Sequence, residues 1–254
     1  MKAIIITFLS ILLAAVLVMG NIQWGKSQAS SSSNITNSST SSENNIDLDY
    51  YLSFASAWPE DTQNQFKTKL ENNETYNILL LGSEALGDAQ TGLLTNLKET
   101  LTNTYDKYVS IENIVYTETS SNYVLNDETQ ELINQKPDMI IFEPFLLADN
   151  NVVDINTALA NISAIIKETK EELPNATFIL QPTNQIYNAS LYPKQVAALK
   201  EYAESENITY LNHWENWPEG DSNKTLDYIN ADDTPNEKGY EVWSNYITDF
   251  LVNK

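Results

Sequence analysis

Ser83 stands at the end of a short apolar run, Ile78 to Leu81, just after Gly82, in the stretch NILLLGSEALGD. A buried strand that stops at glycine and a small hydroxyl residue reads as a parallel strand entering a tight loop. The carboxyl ends of such strands are where open α/β sheets bind ligands. Serine is a weak nucleophile at its own pKa and needs a base within hydrogen-bond reach, plus donors for an oxyanion. The chain has one histidine, His213, and it follows another short apolar segment, Ile208 to Leu211. Asp232 and Asp233 come about 20 residues later and could orient an imidazole. A Ser83–His213–Asp233 set is therefore one reading. The other makes Ser83 a turn residue that caps the following helix and His213 a packed ring bonded to the backbone.

Other side chains widen the inventory. Glu84 and Glu143 are carboxylates near two strand ends, a pairing that could do acid–base work on a glycoside. Glu143 also opens Glu143-Pro144-Phe145, which could simply shape a strand exit. Trp214 and Trp217 in HWENWP, and Tyr187 and Tyr192, could stack on sugar rings or pack in the core. Asp149, Asn150, Asn151 and Asp154 have the oxygen chemistry of a calcium loop but not its glycine and distal glutamate. They read as a solvated loop and a helix N-cap.

Composition removes whole classes of chemistry. There is no cysteine, hence no disulfide, thiolate nucleophile or thiolate-ligated zinc. One histidine rules out multi-histidine metal sites. No metal and no cofactor is expected. The formal net charge is −21 and every basic residue is lysine. Without arginine's bidentate fork, such an acidic chain is not expected to bind nucleic acid.

The elements that must position these residues follow from periodicity. Lys2 precedes the apolar run Ala3 to Met19, which reads as a membrane anchor or as a signal peptide cleaved near Ser27-Gln28-Ala29. Either places the body outside the cytoplasm, as a single-pass membrane protein or a secreted one. Lys2 on the inner side agrees with the positive-inside rule. Residues 1–20 are assigned to that segment, 21–46 to a Ser/Asn-rich tether and 47–254 to the folded domain.

Within the domain, Asp47 to Leu70 suits two short helices broken at Trp58-Pro59. Strands are expected at Tyr76–Leu81, Val109–Thr117, Met139–Phe142, Ala176–Leu180 and Ile208–Leu211. Helices are expected at Gly92–Tyr105, Asn126–Asn134, Ile155–Glu172, Pro193–Glu206 and Asn236–Val252. This alternation implies a mostly parallel five-stranded sheet with helices on both faces. It collects Ser83, the loop after Thr117, Glu143, Gln181 and His213 on one rim.

From Tyr76 onward the chain resembles the SGNH/GDSL hydrolase superfamily. The resemblance rests on the strand ending in Gly82-Ser83, on Pro137-Asp138 before the third strand, and on Pro235-Asn236-Glu237-Lys238-Gly239 before the last helix. It implies a flavodoxin-like three-layer α/β/α sandwich and hydrolysis of an ester by a serine nucleophile. The substrate would be a small-molecule or glycan ester, such as an O-acetyl group of a cell-envelope glycan. The family reads Gly-Asp-Ser where this chain has Gly82-Ser83-Glu84, so a gapless match puts Glu84 at the nucleophile. No glycine lies between Gly92 and Gly220 to serve the second block, which leaves the neighbourhood of Asn122 for that donor. Leu146-Leu147-Ala148-Asp149 stands for Gly-x-Asn-Asp, with Asn150 as a shifted substitute. Ala231 and Thr234 occupy the usual Asp and His positions. Since the usual positions are vacant, the candidate catalytic set is the relocated Ser83, His213 and Asp233, with Glu84, Asn122, Glu143, Asn150 and Trp214 as candidates at the substrate. The resemblance equally accommodates a protein that keeps the fold, has lost catalysis and serves as a binding or scaffold protein of the cell envelope.

Overall fold

The structure is a computed structural model that describes residues 47–88 and 91–253. The expected anchor or signal segment and the whole of the tether lie outside the described residues. Among the described residues no helix is long and apolar enough to cross a membrane.

Two short helices open the domain, α1 (Leu48–Phe54) and α2 (Glu60–Glu71). Pro59 separates them as the N-cap of α2, because proline cannot continue α1 but fits a helix start. Then come β1 (Tyr76–Gly82), α3 (Leu93–Tyr105), β2 (Val109–Val115), α4 (Ser120–Leu125), α5 (Thr129–Asn134) and β3 (Met139–Phe142). They are followed by α6 (Leu146–Asp149), α7 (Ile155–Glu172), β4 (Thr177–Leu180), α8 (Tyr192–Ser205), β5 (Thr209–Tyr210) and α9 (Glu237–Leu251). The strand order is β2-β1-β3-β4-β5 and every pairing is parallel. This is the flavodoxin-like three-layer α/β/α arrangement that the resemblance implies, with the parallel sheet that the alternation implies.

Alternation along the strands divides the core in two. Ile78 and Leu80 of β1 and Ile141 of β3 pack with Phe66, Leu97 and Trp243, from α2, α3 and α9. Leu79, Leu81, Ile140 and Phe142 face the opposite way, against Ile162 and Ile165 of α7 and Val196 and Leu199 of α8. A strand covered on both faces has no polar side, so β3 is apolar throughout and fully buried.

The motifs that carry the resemblance have plain structural duties here. The Asp138 carboxylate accepts the Asn77 N–H at 2.8 Å and pairs with Lys69 at 3.1 Å, pinning the start of β3 to β1 and α2. Asn236 caps α9 by accepting from the Lys238 and Gly239 amides at 3.0 and 3.3 Å. A Cβ on Gly239 would sit 2.3 Å from the Tyr228 carbonyl oxygen, so only glycine lets α9 start against that loop.

Three expectations need correction. The helix expected over Asn126–Asn134 covers only Thr129–Asn134, and a second short helix over Ser120–Leu125 precedes it, because Asp127 takes a left-handed conformation (φ 59°) that separates the two. β5 is only two residues long, since it has a neighbour on one side alone and the chain turns away at Leu211. Asp149 is not solvated. It is fully buried and accepts the Ser120 amide at 2.8 Å and the Ser120 hydroxyl at 2.6 Å. Asn161 completes the cluster by donating to Ser120 Oγ at 3.0 Å, so Asp149 ties the β2 exit to the β3 exit and α7. The N-cap at Asp154 does hold, its carboxylate accepting the Asn156 and Thr157 amides.

Asp149→Ala removes both acceptors of Ser120 and strands a buried amide and hydroxyl. Urea unfolding should show a loss of about 2–4 kcal/mol. A loss below about 1 kcal/mol would mean that Asp149 does not hold these exits together.

Candidate functional site

The topological switch point of this sheet lies between β1 and β3, where consecutive connections leave in opposite directions. Ser83 and Glu143 are the first residues past those two strands. The Ser83 amide donates to Glu143 Oε2 at 2.7 Å. Its hydroxyl accepts from the Ala85 amide at 3.3 Å, capping a single 3-10 turn over Glu84–Leu86. Ser83 is nearly buried, at 5 % exposure, whereas Glu84 faces solvent. The chain thus puts its serine inward and a glutamate outward at the position of the gapless match.

Glu143 is fully buried. Two backbone features make room for it. A Cβ on Gly82 would lie 2.9 Å from both Glu143 Cβ and Oε2, so glycine is required for this approach. Phe145 takes a left-handed conformation (φ 60°), costly for a bulky residue, and its amide donates to the Glu143 main-chain oxygen at 3.0 Å. Burial raises the Glu143 pKa, and hydrogen bonds from Ser83 and Phe145 offset part of the rise. Oε1 has no hydrogen-bond partner. A carboxyl whose folded pKa is raised contributes stability below its ordinary titration range and loses it as pH climbs through the raised value.

His213 lies elsewhere on the rim. Its ring is stacked on Trp243 with centroids 4.4 Å apart and planes 12° apart, and Trp217 meets it edge-on at 6.0 Å. Nε2 is 2.9 Å from the Pro182 carbonyl oxygen, so Nε2 carries the proton and donates it. Nδ1 is buried without a partner. Burial lowers the His213 pKa to about 3. An imidazole of that basicity, with its proton committed to a carbonyl, is poorly matched to take a proton from serine near neutral pH. Asp233 is exposed at a left-handed turn (φ 65°); its amide donates to the Asn230 oxygen at 3.1 Å and its main-chain oxygen accepts from Asn184 Nδ2 at 2.8 Å. Among the described residues no hydrogen bond joins Ser83, His213 and Asp233 to one another.

The remaining candidates scatter around the rim. The Asn122 side-chain amide donates to Glu118 at 2.7 Å. Asn150 ends α6 with its Oδ1 buried and unpartnered. Trp217 is buried against His213 and Tyr228, in the core. Trp214 is only half-buried; its Nε1 donates to the Thr183 oxygen at 2.7 Å and its ring leans on Tyr192 at 5.6 Å. Trp214 lines an open cavity of about 480 Å³ at the exits of β4 and β5, with Gln185, Tyr192, Asn212, Glu215 and Asp221 among its walls. Gln185 and Asp221 had no motif to mark them. Neither did the bond from Ser83 to Glu143, which joins residues 60 positions apart. Among the described residues no group of three or more acidic or histidine side chains is placed to hold a metal ion.

No family model matches the chain, and no curated protein matches it significantly. Solved structures do. A putative GDSL-like lipase from Parabacteroides merdae superposes with a TM-score of 0.58 at 13 % identity, over 69 % of this chain and 95 % of that one. A carbohydrate esterase of family 3 from Talaromyces cellulolyticus gives 0.57 at 13 % identity, over 70 % and 96 %. A catalytic mutant of an acetylxylan esterase from Geobacillus stearothermophilus gives 0.57 at 16 % identity, over 69 % and 94 %.

The lowered pKa of His213 has a sign. Its neutral form is the one the fold accommodates, so stability is full above the ordinary histidine pKa of about 6.5 and drains as pH falls toward 3. Between pH 6.5 and pH 4 the wild type should lose about 3 kcal/mol more than His213→Phe, as read by urea unfolding at each pH. Parallel acid profiles for the two proteins would contradict a buried, neutral His213.

Proposed function

We propose, from a chain with the SGNH/GDSL hydrolase fold, that this protein binds rather than hydrolyses: a cell-envelope protein that keeps the scaffold without serine catalysis. One observation carries the reading. The Ser83 amide is engaged with the buried Glu143 carboxyl and its hydroxyl with the Ala85 amide, while the only histidine is sealed against Trp243 and Pro182. A serine hydrolase needs the opposite of each: a free hydroxyl, a free amide for the oxyanion and a basic partner.

Binding is assigned to the Trp214 cavity. Its tryptophan is fixed by the bond to Thr183 and by Tyr192, so an apolar ring face is pre-organised beside side-chain amides and carboxylates. That pairing of aromatic face and hydrogen-bonding rim suits a sugar ring. The carbohydrate esterases that share the fold favour a glycan as ligand. The chain's strong negative charge favours a neutral glycan over an anionic polymer. The apolar run Ala3 to Met19 behind Lys2 supports a position on the outer face of the membrane, or secretion after cleavage.

The approach of the Glu143 carboxyl to Ser83, whose amide donates to Oε2 at 2.7 Å, favours a second reading, in which a carboxylate rather than histidine activates the serine for ester hydrolysis. One assay separates the two. With p-nitrophenyl acetate, full-length wild type should turn over no faster than Ser83→Ala. Turnover that is lost in both Ser83→Ala and Glu143→Gln would establish the hydrolase instead.

Retention on insoluble chitin, a neutral glycan, tests the binding half. Trp214→Ala should weaken it at least about tenfold, the cost of losing one stacking ring. Equal retention of the two proteins would remove Trp214 from the site.

A further inference from the structure

We propose that an apolar cavity of about 420 Å³ at the start of α8 is a binding site for the carboxyl-terminal end of an apolar peptide. The site is separate from the Trp214 cavity, and the inference does not rest on the reading given to that cavity or to Ser83.

The cavity lies between the loop that joins α6 to α7 and the first turn of α8. Asn151 to Ile155 form one wall, and Leu191, Lys194 and Gln195 form the other. Val152, Val153, Ile155 and Leu191 make the lining largely aliphatic. Val152 is 71 % exposed and Leu191 40 %, so water rather than core covers them. The loop that carries the valines is anchored: the Val152 and Val153 amides both donate to the Asp149 main-chain oxygen at 2.9 Å. Aliphatic side chains held in water beside a cavity mark a surface that gains from an apolar partner.

Two polar groups give the cavity its chemistry. Gln195 is 4 % exposed, yet its Oε1 is shielded from water without a hydrogen-bond partner. Among the described residues its Nε2 donates to nothing either. A buried side-chain amide left wholly unpaired is rare in a folded chain and costs stability. It can accept one N–H and donate to one carbonyl, the two groups that every peptide unit presents. Lys194 stands beside it, exposed, and among the described residues no carboxylate is paired with it. Asp154 is the one acid on the lining, and its oxygens accept from the Asn156 and Thr157 amides at the start of α7.

Together these features select one ligand. The aliphatic walls take an aliphatic side chain, the Gln195 amide takes a peptide N–H and C=O, and Lys194 takes the terminal carboxylate. A fatty acid would suit the walls and Lys194 but bring no donor to Gln195 Oε1. An internal peptide segment would bring no charge to Lys194.

A fluorescein-labelled peptide ending in Ala-Val-Leu with a free carboxyl is titrated into the full-length protein and followed by anisotropy. Binding should saturate below about 1 mM. The same peptide as its carboxyl-terminal amide should bind wild type at least about tenfold more weakly, and Lys194→Gln should bind both forms alike. Val152→Asp, at a position too exposed to govern folding, should weaken the acid form by a similar factor. Gln195→Met separates a ligand-binding amide from a structural one. It should lose peptide affinity at least about tenfold and yet raise the melting temperature of the free protein by about 2–4 °C, because the apolar isostere removes an unpaired buried amide. A lower melting temperature in Gln195→Met, no saturable binding, or equal binding of acid and amide by wild type overturns the proposal. Displacement of the peptide by an equal concentration of octanoate would assign the cavity to fatty acids and overturn it as well.

Discussion

A carboxyl group taken fully out of water costs several kcal/mol unless donors replace its hydration, and Glu143 sets that demand at the centre of this sheet. Much of the rim follows from meeting it. Gly82 has no side chain because Glu143 crosses there. Phe145 accepts an unfavourable backbone conformation beside it. Ser83 turns inward to donate, which leaves Glu84 pointing to water. The β1 and β3 exits are thereby closed onto each other at the place where an open α/β sheet ordinarily receives its ligand.

The other end of the rim solves a different problem. β5 is short and at an edge, so the chain beyond it must be held by side chains rather than by a ladder. His213 and Trp217 fill the space against Trp243, and Trp214 anchors through its indole nitrogen to Thr183. The histidine is spent on packing, and the half-buried tryptophan is left to wall an open cavity. The same scaffold thus has a carboxyl side chain filling the β1/β3 switch point and an open cavity at the exits of β4 and β5.

Much of the architecture was legible because it depends on local pattern. Leu93, Leu97 and Leu101 recur at helical spacing, and Met139–Phe142 is an apolar run too short for a helix. Pro59 and Asn236 mark helix starts through their own chemistry. The misreadings share one cause. Asn126–Asn134 has helical composition, but Asp127 adopts a left-handed conformation that its neighbours in sequence do not announce. Asp149 sits among polar residues and reads as solvated, yet Ser120, 29 positions away, lets it be buried. Loops carry little pattern, and their polar residues are resolved only by partners brought from elsewhere in the chain.

The sequence by itself determined the class of fold, the parallel alternation, the rim on which Ser83, Glu143 and His213 would gather, and the exclusion of thiolate and multi-histidine chemistry. It also held both readings of Ser83, as nucleophile and as cap, and both readings of His213. Only the tertiary structure distinguished their surroundings. Residue type states what a side chain can do; its hydrogen-bond partners and burial state what it is free to do. Serine and histidine are chemically competent anywhere, but here the partners of one are a buried carboxyl and a capped amide, and those of the other are an indole face and a carbonyl oxygen.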